Sequence, residues 1–205
     1  MERYHHGDLR RAVLDRALAV VAERGPAALS LRAIAADLGV SHTAPRHHFG
    51  SNTGLLTAIA AEGFEMLRER LVELRLAREP FLELGVAYVE FAVTHPGHFG
   101  VMFQPTLLDG DDPALAAASE GTFAELRAGV EAIAPDGSTS DAAATVTAAW
   151  SLMHGIATLE LTGSLERSQI RQMLGVTDIA DLARRAGERL SGSSGSQPHE
   201  ERTSP

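Results

Sequence analysis

Apolar residues along this chain return every three to four positions, the spacing that gathers them on one face of an α-helix. No stretch alternates in the manner of a strand. Leu9, Val13, Ala17, Val20 and Val21 form the first such face and predict a helix from Asp8 or Leu9 to Arg24, with Gly25-Pro26 as its stop. Ser30 is placed to cap a second helix that reaches Leu38. A Gly39-Val40-Ser41 turn separates it from a third, His42 to Phe49. Gly50-Ser51-Asn52 then opens a long helix, Thr53 to about Arg78, bearing Leu55, Leu56, Ile59, Phe64, Leu67 and Leu71.

Further along, Phe81 to Thr94 is amphipathic, His95-Pro96-Gly97 is a breaker, and His98 to Phe103 is a short apolar segment. Gln104 to Asp112 reads as a loop, and Pro113 opens a helix to about Ile133. Pro135-Asp136-Gly137 is a turn, Asp141 to Leu161 a long helix, and the last helix falls between Asp178 and Leu190. The pattern predicts an all-α protein of about nine helices. Its divisions are a three-helix head (residues 1–52), a larger helical body (53–190), and a Ser, Gly and Pro-rich tail (191–205) too polar to bury.

The stretch LRAIAADLGVSHTAPRHHF, Leu31 to Phe49, has the layout of a helix-turn-helix. Ala35 allows close helix approach, Gly39 tolerates the left-handed conformation that ends a helix, and Ile34, Leu38 and Phe49 supply apolar knobs. Such a unit exists to place one helix in a DNA major groove. With Phe49 inward, His42, Thr43, Arg46 and His47 fall outward, and Ala44 among them is a further DNA-contact candidate. Ser41 is positioned as a cap and Pro45 lies in the first turn, where its missing donor costs little. The helix starts at Ser30 and Ser51 offer backbone N–H groups to phosphates, with Arg32 and His48 as further partners. Tyr4, His5 and His6 are an arm for the minor groove or simply a frayed end.

A formal net charge of −9 argues against nucleic acid until its distribution is considered. Residues 1–48 carry seven Arg against five acids, and five of the nine His, whereas the remainder carries eleven Arg against twenty-two acids. A mildly basic head on an acidic body suits a DNA-reading module attached to something else. The 44% apolar content is ample for a core, and every cation is Arg. With no Cys there is no disulfide framework and no thiolate metal site. No stretch approaches the ~18 consecutive apolar residues of a membrane span, and MERYHHGDLRR lacks the apolar run of a signal peptide. Cytoplasmic residence is the simplest expectation, with no membrane partner.

Three segments then acquire a family look. YHHGDLRRAVLDRAL followed by SLRAIAADLGVSHTAPRHHFGSNTGLL resembles the N-terminal domain of TetR-family transcriptional regulators, over Tyr4 to Phe64. Trp150-Ser151-Leu152-Met153-His154-Gly155 resembles the Trp…His-Gly signature of one C-terminal domain type of that family, the WHG type. HPGHFGVMF, His95 to Phe103, resembles the segment preceding the family's loop. The resemblance implies a homodimer whose last two helices join their counterparts in a four-helix bundle. It also implies an effector pocket in the body, whose occupation changes the spacing of the two heads and releases the operator. Two positions depart from the pattern: Arg46 stands where the family usually has Tyr, and Asn52 where it usually has Lys, both phosphate-contacting residues. Arg46 can hold a phosphate or read a guanine, while Asn52 keeps a donor but not the charge.

Other chemistry is weaker. His5-His6 and His47-His48 are neighbours that diverge on a helix, and His95-x-x-His98 crosses Pro96-Gly97 with no carboxylate or Cys beside it, so no metal or other cofactor is expected. Ser151 and His154 are i, i+3 without a nucleophile turn or third partner, so catalysis is not expected. Trp150 and His154, four apart, share a helix face in the core, at a pocket or at a dimer seam. The pocket candidates are Phe64, Leu67, Phe91, Phe99, Met102, Phe103, Phe123, Trp150, Met153 and His154, for a small apolar or amphipathic effector. The Ala-rich run 142–149, with Leu182 and Leu190, is a candidate intersubunit seam. The expected function is a ligand-responsive regulator, most often a repressor, binding a palindromic double-stranded operator. The alternative is an all-helical ligand-binding or interaction protein whose head binds DNA weakly or not at all.

Overall fold

Hydrophobic periodicity, caps and glycine stops together divide the chain into helices and little else. The computed structural model describes residues 6–133 and 139–192. The arm at Tyr4 and His5, the His6 and Leu190 side chains, the 135–137 turn and residues 193–205 lie outside the described residues. In the head, α1 (His6–Arg24) is followed by a 3-10 turn (Pro26–Ala28), α2 (Leu31–Asp37) and α3 (Ala44–Phe49). The body comprises α4 (Asn52–Leu76), α5 (Phe81–Thr94), α6 (Pro96–Met102), a 3-10 turn (Pro105–Leu107), α7 (Pro113–Ile133), α8 (Thr139–Leu161), α9 (Ser164–Arg167), α10 (Ile170–Leu174) and α11 (Ile179–Gly192). No strand occurs among the described residues.

The head packs α1 over the helix-turn-helix through Val13, Leu14, Ala17 and Val21, which meet Ile34, Leu55 and Ile59 in one buried cluster. Ser30 caps α2 by accepting from the Ala33 N–H at 3.4 Å, and Ser51 caps α4 by accepting from the Gly54 N–H at 3.0 Å. Helix α3 begins two residues later than the pattern predicts, and Ser41 does not cap it. The Ser41 hydroxyl instead accepts from the Thr43 N–H and bonds the Thr43 hydroxyl at 2.9 Å, holding a turn that delays the helix to Ala44.

Helices α4 and α7 form the longest seam of the body, where the Thr122 hydroxyl donates to the Phe64 carbonyl at 2.8 Å. Helix α5 packs against α8 and α11. Arg184 of α11 clamps Glu83 of α5 with two bonds of 2.8 and 2.9 Å. Short α9 and α10 were not visible as periodic segments. They are single turns set off by the positive φ of Gly163, Gln169 and Gly175. Leu182, expected at an intersubunit seam, is instead buried within its own subunit.

Helix α6 is wedged between head and body. A Cβ at Gly97 would stand 2.7 Å from the Leu18 carbonyl oxygen of α1, and one at Gly63 of α4 would stand 2.7 Å from the Met102 sulfur. These glycines let α6 approach both neighbours more closely than any side chain permits. The His-Pro-Gly-His segment therefore serves packing. His95 packs at a tilt against Phe91, and buried His98 meets Glu62 of α4 at 3.2 Å. Glu62 in turn accepts from Arg11 of α1 at 2.8 Å. Helix α8 differs from its neighbours in leaving most of its surface uncovered. Ala142–Leu161 is long and apolar enough to cross a membrane by length and composition alone, through Ala and Thr rather than an unbroken Leu/Ile run. Only 17% of that window is buried.

Candidate nucleic-acid interface and ligand cleft

Helix α3 is short, and its two buried residues, Pro45 and Phe49, fix which side faces the core. Arg46 and His47 consequently stand in solvent, joined by His42 and Thr43 on the preceding turn, while Ala44 is half-buried. His48 is set apart from them. It is half-buried, lies beside Phe49, and lines a cleft of about 930 Å³ between head and body. Arg10 covers the Phe49 ring at 5.4 Å and lines the same cleft.

The head's cations divide by partner. Arg16 pairs with Asp37, and Arg11 with Asp15 and Glu62, so their charge is internally compensated. Arg32 and Arg46 have neither an ion pair nor a side-chain hydrogen bond within the described residues. An unpaired, hydrated Arg is available to a phosphate or a guanine edge at no cost of breaking an internal pair. Arg32 is the second residue of α2, at the helix start that Ser30 caps, where first-turn N–H groups favour an anion, and Arg46 stands on α3.

Asn52 also makes two hydrogen bonds inside the head. Its side-chain oxygen accepts from the Leu31 N–H at 3.0 Å and its amide donates to the Leu29 carbonyl at 3.1 Å. It thus ties the start of α4 to the start of α2. Gly54, two residues on, is required for a related reason. A Cβ there would lie 2.1 Å from the Phe49 carbonyl oxygen, so α4 begins directly under the end of α3.

The body holds a second cleft of about 480 Å³, lined by Phe64, Met102, Phe103, Pro105, Phe123, Trp150, Ser151 and His154. Six of the ten sequence-predicted pocket residues meet here. The other four do not line it. Leu67 is core, Phe91 packs against His95, Phe99 backs the cleft by packing on Phe103 and His154, and Met153 fills the space beside Gly85 of α5. Pro105, Ser151 and Tyr88 were not among those ten. Buried Tyr88 receives the Trp150 indole N–H at 3.3 Å and bonds His154 Nδ1 at 2.7 Å. Burial pushes the Tyr88 hydroxyl pKa up, outweighing the Trp150 bond, and pushes the His154 imidazole pKa down. At His98 burial again dominates and lowers the pKa, against the pull of Glu62.

A helix-turn-helix head with unpaired arginines, joined through a wedged helix to a helical body with an apolar cleft, defines a DNA-binding regulator of transcription. The family model for bacterial regulatory proteins of the tetR family matches residues 13–59, and that for the tetracyclin repressor-like C-terminal domain matches residues 81–186. The chain belongs to the TetR family of transcriptional regulators. It is 28% identical over 160 residues to a helix-turn-helix-type transcriptional regulator of Mycobacterium tuberculosis, covering 77% of this chain and 72% of that one. A solved structure from Rhodococcus sp. RHA1, titled a protein with unknown function, superimposes with a TM-score of 0.72 at 30% identity, covering 94% of this chain and 98% of the other. A TetR-family regulator from Bordetella parapertussis shares the fold at a TM-score of 0.61 and 22% identity, with 87% and 92% covered.

Proposed function

We propose that this regulator is a homodimeric, ligand-responsive repressor of the cytoplasm that binds a palindromic operator through α3 and its flanks and is released by a small effector. The observation that carries ligand response is α6. One end of it abuts the α1 backbone at Leu18, and the other supplies Met102 to the cleft. Occupancy of the cleft and position of the head therefore share one short rigid element, the physical requirement for coupling two sites. Dimerisation is supported by the outer face of α8. Ala143, Ala144 and Ala148 are exposed, Leu159 is 45% exposed, and no atom lies within 4 Å of where a Cβ at Gly155 would sit. A second copy covering this face doubles the phosphate contacts and fixes half-site spacing near one turn, about 34–36 Å.

DNA contact is assigned to Arg46, His42, Thr43, Ala44 and His47 on α3 and its turn, with Ser30, Arg32, Ser41 and Ser51 at the flanks. Asn52 ties the start of α4 to that of α2, and His48 lines the cleft between head and body. The test is a fluorescence-anisotropy titration of DNA from the protein's own upstream promoter at several salt concentrations. A specific, salt-sensitive complex is expected, which Arg46→Ala weakens by about tenfold or more while lowering the salt slope by about one. Absence of any such complex without effector favours the alternative, a ligand-binding helical protein whose head has lost DNA affinity.

A further inference from the structure

We infer that the body cleft takes an uncharged aromatic small molecule bearing one hydrogen-bond acceptor, and that the Nε2–H of His154 reads that acceptor. The inference rests on the ligand-response reading and names the chemistry of its ligand. The walls come from five elements, with Phe64 of α4, Met102 of α6, Phe123 of α7 and Trp150 of α8 joined by Phe103 and Pro105. Their rings are set at steep mutual angles: Phe123 to Trp150 at 81° and 5.4 Å, Phe64 to Phe103 at 79° and 5.5 Å. Such walls offer both faces and edges to a guest ring. The volume is within the range of small-molecule sites. Among the described residues no Asp, Glu or Arg lines the cleft, and the chain has no Lys, so a charged ligand would lose its hydration without gaining a counter-charge.

The polar groups are Ser151 and His154, and the proton arrangement at His154 follows from counting donors. Indole nitrogen can only donate, so the Trp150 N–H uses the Tyr88 oxygen as its acceptor. Tyr88 is 3% exposed, and within the described residues its hydroxyl proton has one acceptor in reach, Nδ1 of His154. A proton on Nδ1 would leave that buried hydroxyl proton unmatched. The chain of donation therefore runs from Trp150 to Tyr88 to His154, and the imidazole carries its proton on Nε2. Among the described residues no group bonds Nε2, and the ring is half-buried at the cleft. The groups around the ring, Tyr88, Phe99, Phe103 and Trp150, are all uncharged, so it stays a neutral donor. Tyr88 is thus a positioning residue that sets which way His154 presents its hydrogen.

Trp150 is the only tryptophan, so ¹⁵N-labelled protein gives one indole N–H signal at the cleft wall. Three probes of one shape are titrated at pH 8: 2-acetylnaphthalene, 2-isopropenylnaphthalene (carbonyl replaced by an alkene) and 2-naphthoate. The ketone is expected to shift the indole signal saturably, with about tenfold higher affinity than the alkene, and the anion to bind more weakly than either. His154→Phe is expected to bind ketone and alkene alike, and His154→Gln, which keeps a donor, to retain the preference. Imidazole ¹⁵N shifts are expected to show the Nε2–H form in the native protein and a tautomer mixture in Tyr88→Phe. Equal affinity for ketone and alkene, tighter binding of the anion, a preference that survives His154→Phe, or no shift with any probe overturns the inference. A ketone that saturates the cleft as expected yet leaves promoter affinity unchanged overturns ligand response instead, and leaves the cleft chemistry standing.

Discussion

Asn52 shows how one side chain can occupy a contact position and serve another end. Family resemblance points it toward a phosphate, but both halves of its amide are engaged with Leu29 and Leu31, across the joint between the reading unit and the first body helix. Asn52→Ala is expected to cost about 1–2 kcal/mol of unfolding free energy, read by urea denaturation, because it leaves a half-buried carbonyl and N–H without partners. Sequence reasoning had no view of this, since the partners lie 21 and 23 residues away and are backbone atoms. Tyr88 escaped notice for the same reason: nothing local marks a tyrosine whose partners are 62 and 66 residues downstream. Trp150, His154 and Phe123 were legible because large rings at helical spacing stand out in the sequence itself.

At the scale of elements, boundaries were well marked wherever a cap or a glycine ends a helix by itself. Ser30, Ser51, Gly25 and Gly50 all act as their residue types predict. The start of α3 was misplaced because two hydroxyls, Ser41 and Thr43, hold a turn that hydrophobic spacing does not register. Gly54 looks like an ordinary helical glycine in the sequence, yet its hydrogen atom sits where the end of α3 rests. Gly54→Ala would force α3 and α4 apart or shift the capped turn, an overpacking cost of about 1–3 kcal/mol. The expected outcome is lower thermal stability with a larger fractional loss of promoter binding, measured by calorimetry and anisotropy on the same samples. A variant with wild-type DNA affinity and melting temperature would show that the joint is more pliable than its geometry implies.

For the whole molecule, buried His98 and half-buried His154 tie stability to pH. His98 and His154 both have folded pKa values below the ordinary one near 6.5, chiefly from burial. The unfolded chain therefore binds more protons as pH drops through that value, so stability is full above it and declines below. Glu62 has a lowered pKa because its bonds from Arg11 and His98 together outweigh burial, and it adds a second loss at more acidic pH. The urea midpoint is expected to fall between pH 7.5 and 5.5, with a shallower fall in His154→Phe. Assembly has its own check. Leu159→Arg on the open face of α8 is expected to yield monomers by light scattering and to weaken promoter binding, without lowering helical content. Between these scales stands α6. At Gly97 it meets α1 backbone to backbone, with no side chain between them to change rotamer and absorb movement. Seven residues of helix span about 10 Å. A strut that short and that hard at its head end leaves little slack between Met102 and the DNA-reading unit, so under the proposed ligand response an effector acts by how far it moves the strut rather than by how tightly it is held.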